Sequence, residues 1–166
     1  MPTPAAKRAS ESATEMVEVV LPNDANPMGF MLGGNVMRLI DFAGAVVAIR
    51  HARSPMVTAA VDGLRFLNPI KVGDFVVLKA RVTATFHSSL EVEVLVYSEG
   101  AFTGERQMTS HAHLTFVTLQ RDGVRAAVPP LLIETDEERN AEKEAHARHE
   151  AHLKVRSGKS KVESRK

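Results

Sequence analysis

The chain has 166 residues, no cysteine, and 21 basic against 20 acidic side chains, for a formal net charge of +1. That balance does not favour bulk electrostatic binding of nucleic acid or an anionic membrane. The absence of cysteine excludes disulfides, thiolate nucleophiles and thiolate metal sites.

The first segment, residues 1–14, is small and polar and is expected to be disordered. It has no continuous apolar run, so no secretory leader is expected there. Nowhere does the chain approach the roughly 20 apolar residues of a membrane span. These features predict a cytoplasmic protein with neither membrane nor nucleic-acid partner. "EMVEVVLP", residues 15–22, predicts a first strand ended by proline, and "NDANPMGFML" a loop.

"GGNVMRLIDFAGAVVAIRH", residues 33–51, predicts a helix that is apolar nearly all the way round. Such a helix is usually buried, yet Asp41 sits in its middle. Burying a carboxylate costs several kcal/mol unless it is paired or hydrogen-bonded. Asp41 is therefore neutralised by a neighbour such as Arg38, placed at an interface, or used in chemistry. Basic residues and Pro55 end the helix.

Beyond Pro55 the apolar period changes from 3.6 to 2. "MVTAAVDGLRFLNPI", "FVVLKARVTATF", "LEVEVLVYSE" and "RQMTSHAHLTFVTLQ" each read as a strand, and "QRDG" as a tight turn. In the last strand Met108, Ser110, Ala112, Leu114 and Phe116 are expected on one face. An antiparallel sheet with one apolar face must bury it, and the long helix is the available cover. The expected architecture is α+β, a sheet wrapped around one central helix. Residues 15–132 form that domain, and 133–166 form a charged tail, helical over 134–154 and disordered over 157–166. Residues 1–12 and 157–166 are expected to be dispensable.

Four stretches carry a resemblance: "LPNDANPMG" (21–29), "GGNVMRLIDFAGAVVA" (33–48), "VDGLRFLNPIKVGD" (61–74) and "HSSLEVEV" with "HLTFV" (87–117). Together they resemble the acyl-CoA thioester hydrolase family of the hotdog fold. The resemblance implies a cofactor-independent thioesterase, hydrolysing acyl-CoA to free acid and CoA. It also implies dimers joined through a continuous sheet, often as trimers of dimers. Asp41 matches the family's catalytic acid, and Gly33 and Gly34 match glycines near the thioester carbonyl. Asn26, Asn35, Ser88, Ser89, Arg65 and Arg106 are further candidates for substrate contact; for the CoA phosphates Arg50, Arg53, Arg65, Lys71 and Arg106 are all available. The sequence departs from the family at Phe30, where many relatives carry an asparagine. That departure keeps a non-catalytic acyl-CoA-binding or assembly module as the alternative.

The chemistry of these residues fits thioester hydrolysis. Asp41 can serve as general base or nucleophile. Backbone N–H groups of Gly33, Gly34 and Asn35 at a helix N-terminus can hold an oxyanion. At 1.5 Å per residue, Asp41 lies about 10 Å along the helix from Gly34, too far for both to hold one carbonyl. The spacing therefore favours a site shared between subunits. His111 and His113 share a strand face, but the sequence offers no third ligand, and no metal is expected. His146, His149 and His152 read as a solvated helical face.

Overall fold

The computed structural model describes residues 4–121 and 124–163. The chain divides into two compact units, residues 1–132 and 133–166.

The first unit runs β1 (Lys7–Arg8), β2 (Thr14–Val19), α1 (Gly33–Ala52), β3 (Met56–Phe66), β4 (Phe75–Thr85), β5 (Ser89–Glu99), β6 (Arg106–Thr118), β7 (Gln120–Arg121), β8 (Val124–Arg125) and β9 (Leu131–Leu132). Five strands form one antiparallel sheet in the order β2-β4-β5-β6-β3. Inward residues of β4, β5 and β6, among them Leu78, Val92, Val94, Leu114 and Phe116, pack with Val36, Leu39, Ile40, Ala43 and Val47 of α1. This is the hotdog arrangement, a sheet curled on one helix, as the periodicities predicted. Each large side chain so buried contributes roughly 1.5–3 kcal/mol.

Two features of the sheet were not legible in the alternation. In β6 the register shifts between the pairs Val96–Ser110 and Tyr97–Met108. This β-bulge adds a residue and changes the face. Met108 is therefore exposed, whereas Ser110 stays in phase with Ala112 and Leu114. In β3 the register shifts twice, once around Gly63, whose φ of +65° suits glycine. β3 is an edge strand, and most of its residues are exposed.

The expected disorder of residues 1–14 is corrected over its described part. The first three residues lie outside the described residues. β1 pairs in parallel with β9, and a short 3-10 turn, Ala9–Glu11, follows it. The Lys7 amide donates to the Pro130 carbonyl at 2.9 Å, and its ammonium to the His51 carbonyl at 2.7 Å. Ala9 and Ser12 are buried. A polar composition hid this docking, because its partners are backbone carbonyls rather than an apolar groove. The expectation that residues 1–12 are dispensable is thus reversed. Their deletion should lower the melting temperature by roughly 5–10 °C, read by scanning calorimetry.

His51 is fully buried beside this segment. Its Nε2–H donates to the Pro129 carbonyl at 3.0 Å, which leaves Nδ1 facing the Ser12 hydroxyl at 3.4 Å. Desolvation by burial, the largest cause, pushes its pKa below the ordinary 6.5. The unfolded chain then binds the proton first as pH falls. Stability from this group is complete above about pH 6.5 and declines as pH drops towards the lowered value. Denaturant midpoints measured from pH 7.5 to 5 should fall in the native protein, and His51→Gln should flatten that part of the profile.

The second unit is α2 (Asp136–Glu163). It opens on a capping box, in which the Glu138 amide donates to Thr135 Oγ1 and the Thr135 amide to Glu138 Oε2. Acidic residues fill its first turn, which suits the helix dipole. The helix continues to Glu163, beyond the 134–154 expected from composition. Once nucleated, each added residue gains a hydrogen bond, and no proline interrupts the run.

Candidate active site

Helix α1 begins where the loop 20–32 is tied down. The Leu32 amide donates to the Asp24 carbonyl at 2.9 Å, and the Met31 amide to the Ile70 carbonyl at 2.8 Å. Asn26 organises the loop internally, its Oδ1 accepting from the amides of Met28 (3.0 Å) and Phe30 (3.2 Å). Beneath this loop lies a cleft of about 390 Å³ whose lining includes Asn26, Phe30, Gly33, Val36, Phe66 and Ser110. Gly33 lies against Phe66: a Cβ there would come within 3.3 Å of the ring, which would have to give by a few tenths of an ångström. Gly34 is exposed, and a Cβ there would touch nothing. Among the described residues no acceptor reaches the amides of Gly33 or Gly34. These two N–H groups are open donors at the positive end of a 20-residue helix.

Asn35 does not join them. Its amide closes on the Leu32 carbonyl at 2.9 Å, and its side-chain Nδ2–H₂ donates to the Asp24 carbonyl at 3.1 Å. It anchors the loop to the helix, so the expected oxyanion donors reduce to the two glycines. Ser110 brings a hydroxyl that sequence reasoning missed. Its side chain is 1% exposed, its Oγ has no hydrogen-bond partner, and it lines the cleft. An unpaired buried hydroxyl costs about 1–3 kcal/mol, and a polar group entering the cleft would relieve it. Alternation along β6 already turns Ser110 inward with Ala112 and Leu114; what the sequence did not announce is that its hydroxyl meets the cleft rather than a partner.

Asp41 lies elsewhere. Its Oδ1 accepts a hydrogen bond of 2.5 Å from the Thr58 hydroxyl of edge strand β3. Arg38 instead lies over the Phe42 ring at 5.3 Å, so the structure does not form the Asp41–Arg38 pair. Thr58 was also missed; "VTAAV" reads as an ordinary strand, and only the helix–strand packing brings the two side chains together. From Thr58 to Phe66, which reaches the cleft, β3 runs roughly 25 Å. Within one chain, then, the carboxylate and the open helix N-terminus are well separated.

Ser88 and Ser89 sit at the Asp41 end of the sheet. Ser89, Val117 and Val57 are register partners across three strands. The Ser88 carbonyl accepts from the Thr118 amide and hydroxyl. They build the turn and are not brought to the cleft of their own chain. Arg65 is exposed on β3, and Arg106 is held by Glu99 through a short ion pair. Arg106 and Lys71 line a second hollow of about 690 Å³, which shares Pro69 with the cleft.

Comparison with known proteins identifies the family. Residues 28–103 match the thioesterase superfamily. An acyl-CoA thioester hydrolase of Bacillus subtilis (strain 168) is 39% identical over 138 residues, covering 83% of this chain and 80% of that one. The chain belongs to the acyl-CoA thioester hydrolase family. The human cytosolic acyl coenzyme A thioester hydrolase is 32% identical over 88% of this chain, which spans only 39% of that protein. A solved hexameric acyl-CoA thioesterase superposes with a TM-score of 0.84 at 36% identity, covering 91% of this chain and 97% of its own. The Staphylococcus aureus acyl-CoA hydrolase, solved with butyryl coenzyme A and coenzyme A, has a TM-score of 0.84 at 33% identity, covering 95% and 96%.

The same Staphylococcus aureus hydrolase has been solved as alanine mutants of an aspartate, a threonine and an asparagine. In its sequence the asparagine precedes the aspartate by 15 residues and the threonine follows it by 17. Asn26, Asp41 and Thr58 of this family member have the same separations. An asparagine at that separation is therefore present here, four residues before Phe30.

Proposed function

We propose that this thioester hydrolase cleaves acyl-CoA to a free carboxylic acid and CoA at a site assembled from two copies of the chain. The observation that carries the reading is the hydrogen-bonded Asp41–Thr58 pair, placed on an open edge and far from the donors it must work with. Thr58 holds one carboxylate oxygen and leaves the other free to take a proton from water. That water adds to the thioester carbonyl, and the amides of Gly33 and Gly34 from the other copy stabilise the oxyanion. Collapse of the tetrahedral intermediate breaks the C–S bond and releases the thiolate of CoA, which takes up the proton. No metal or organic cofactor enters these steps.

The open edge supports the pairing. Phe42, Val46 and Ile49 of α1 are 48%, 36% and 46% exposed and recur on one helix face. Val57 and Val61 of β3 are exposed beside them. This answers why α1 is apolar nearly all round: one stripe packs on its own sheet, and a second is left for a partner. Antiparallel pairing of β3 with a second β3, centred near Asp62, sets Thr58 across from Phe66 of the partner subunit. Asp41 then faces the other copy's cleft and its helix N-terminus. Further assembly as a trimer of dimers, in the cytoplasm, completes the reading.

Release of free thiol from short-, medium- and long-chain acyl-CoAs, in the presence of a chelator, tests it. Turnover of at least one class is expected. Tight binding without release would identify an acyl-CoA-binding module instead.

A further inference from the structure

On the sheet face opposite α1, β5 and β6 bring together Glu93, His111 and His113. Their neighbours in sequence, Val92, Val94, Ala112 and Leu114, point into the core, so alternation turns these three outward. Glu93 and His113 are direct register partners, and His111 lies two residues along the same strand. Glu93 Oε1 is 3.2 Å from His111 Nε2 and 3.8 Å from His113 Nε2. One ligand atom from each of the three lies within 4.8 Å of the others. The two imidazole centroids are 4.6 Å apart.

We propose that Glu93, His111 and His113 form a binding site for a divalent transition cation of the zinc type. The ligand set, two imidazoles and one carboxylate, is one that zinc accepts. At metal–ligand lengths of about 2.0–2.2 Å, a tetrahedral ion wants its ligand atoms about 3.3–3.5 Å apart. The observed separations to Glu93 bracket that range, so small side-chain adjustments close the site. Glu93 is also oriented for the task. Arg81 Nε–H donates to its Oε2 at 3.0 Å, which leaves Oε1 turned towards the imidazoles, the supporting hydrogen bond typical of carboxylate ligands. All three ligands stand on central strands, a rigid base for a metal site. His111 is the most exposed of them, at 38% for its side chain, against 12% for His113 and 15% for Glu93. The ion would enter past His111, and a water would complete the tetrahedron. Lying on the far face from Asp41, the ion would clasp β5 to β6 and take no part in hydrolysis.

Cobalt(II) is the probe, because tetrahedral coordination gives it an intense visible absorption. The chelator-treated full-length protein is titrated with cobalt and then with zinc. One cobalt per chain with the tetrahedral spectrum, displaced stoichiometrically by zinc, is expected. The triple variant His146→Ala, His149→Ala, His152→Ala controls for metal held by the tail and should retain the spectrum. His111→Ala should lose it, as should Glu93→Gln, with each variant shown by circular dichroism to keep the native fold. No tetrahedral spectrum at millimolar cobalt would overturn the site. So would a spectrum that survives His111→Ala, or one that disappears in the tail variant; the trio is then only a carboxylate hydrogen-bonded to His111 with a second imidazole nearby.

Discussion

Asp41→Asn should fold, assemble and bind acyl-CoA as the native chain does, and should turn it over about 10²–10⁴-fold more slowly, the scale for loss of a positioned general base. The asparagine keeps the size of the carboxylate and an oxygen for the Thr58 hydroxyl, so the 2.5 Å bond survives in altered form. It cannot take a proton from water. The loss therefore falls on kcat with little change in KM. Thr58→Val should show a milder fall of the same kind, because the base remains but is no longer held. Melting temperature, oligomer size and turnover on one preparation decide the matter. A properly assembled Asp41→Asn protein with native turnover would leave Asp41 as a structural residue of the interface.

The second large effect comes from Ile49→Glu. Ile49 is exposed in the single chain, as are Phe42 and Val46 of the same stripe, so the substitution leaves the core of the monomer intact. In a dimer built through this face the new carboxylate would be buried without a partner, at a cost of several kcal/mol. Light scattering should then find monomers at concentrations where the native chain is oligomeric. Turnover should fall at least about 100-fold, because each half-site is left without its complement. An active monomer, or an Ile49→Glu oligomer of native size, would remove the two-chain site.

What could be read from residues alone was set by periodicity. The change from a 3.6 to a 2.0 period at Pro55 marks the end of α1, and the alternation in β4 and β5 marks their inner faces. These are averages over many side chains, so single exceptions do not erase them. The site depends on single exceptions. One bulge turns Met108 out of the inner face and leaves Ser110 as its last member, at the cleft, and Thr58 reaches Asp41 through the packing of α1 on an edge strand. Asn35 looked like an open donor because its type suits a helix start, but the loop's own carbonyls claim it. Residues 7–12 were misjudged because backbone pairing with Pro130 and Leu131 leaves no apolar signature. The third member of the His111–His113 cluster, Glu93, lies on the neighbouring strand, where only the register reveals it.

The most direct test of the shared site is complementation between two variants, each expected to be strongly impaired. Asp41→Asn removes the proposed base, and Asn26→Ala alters the cleft that holds the open helix N-terminus. In a mixed dimer, one of the two sites carries both changes and the other carries neither. Random assembly from equal amounts should therefore restore about a quarter of native turnover, the share of intact sites in a two-fold pair. Mixed oligomers no more active than either parent would place Asp41 and its working partners in one chain, contrary to the site proposed.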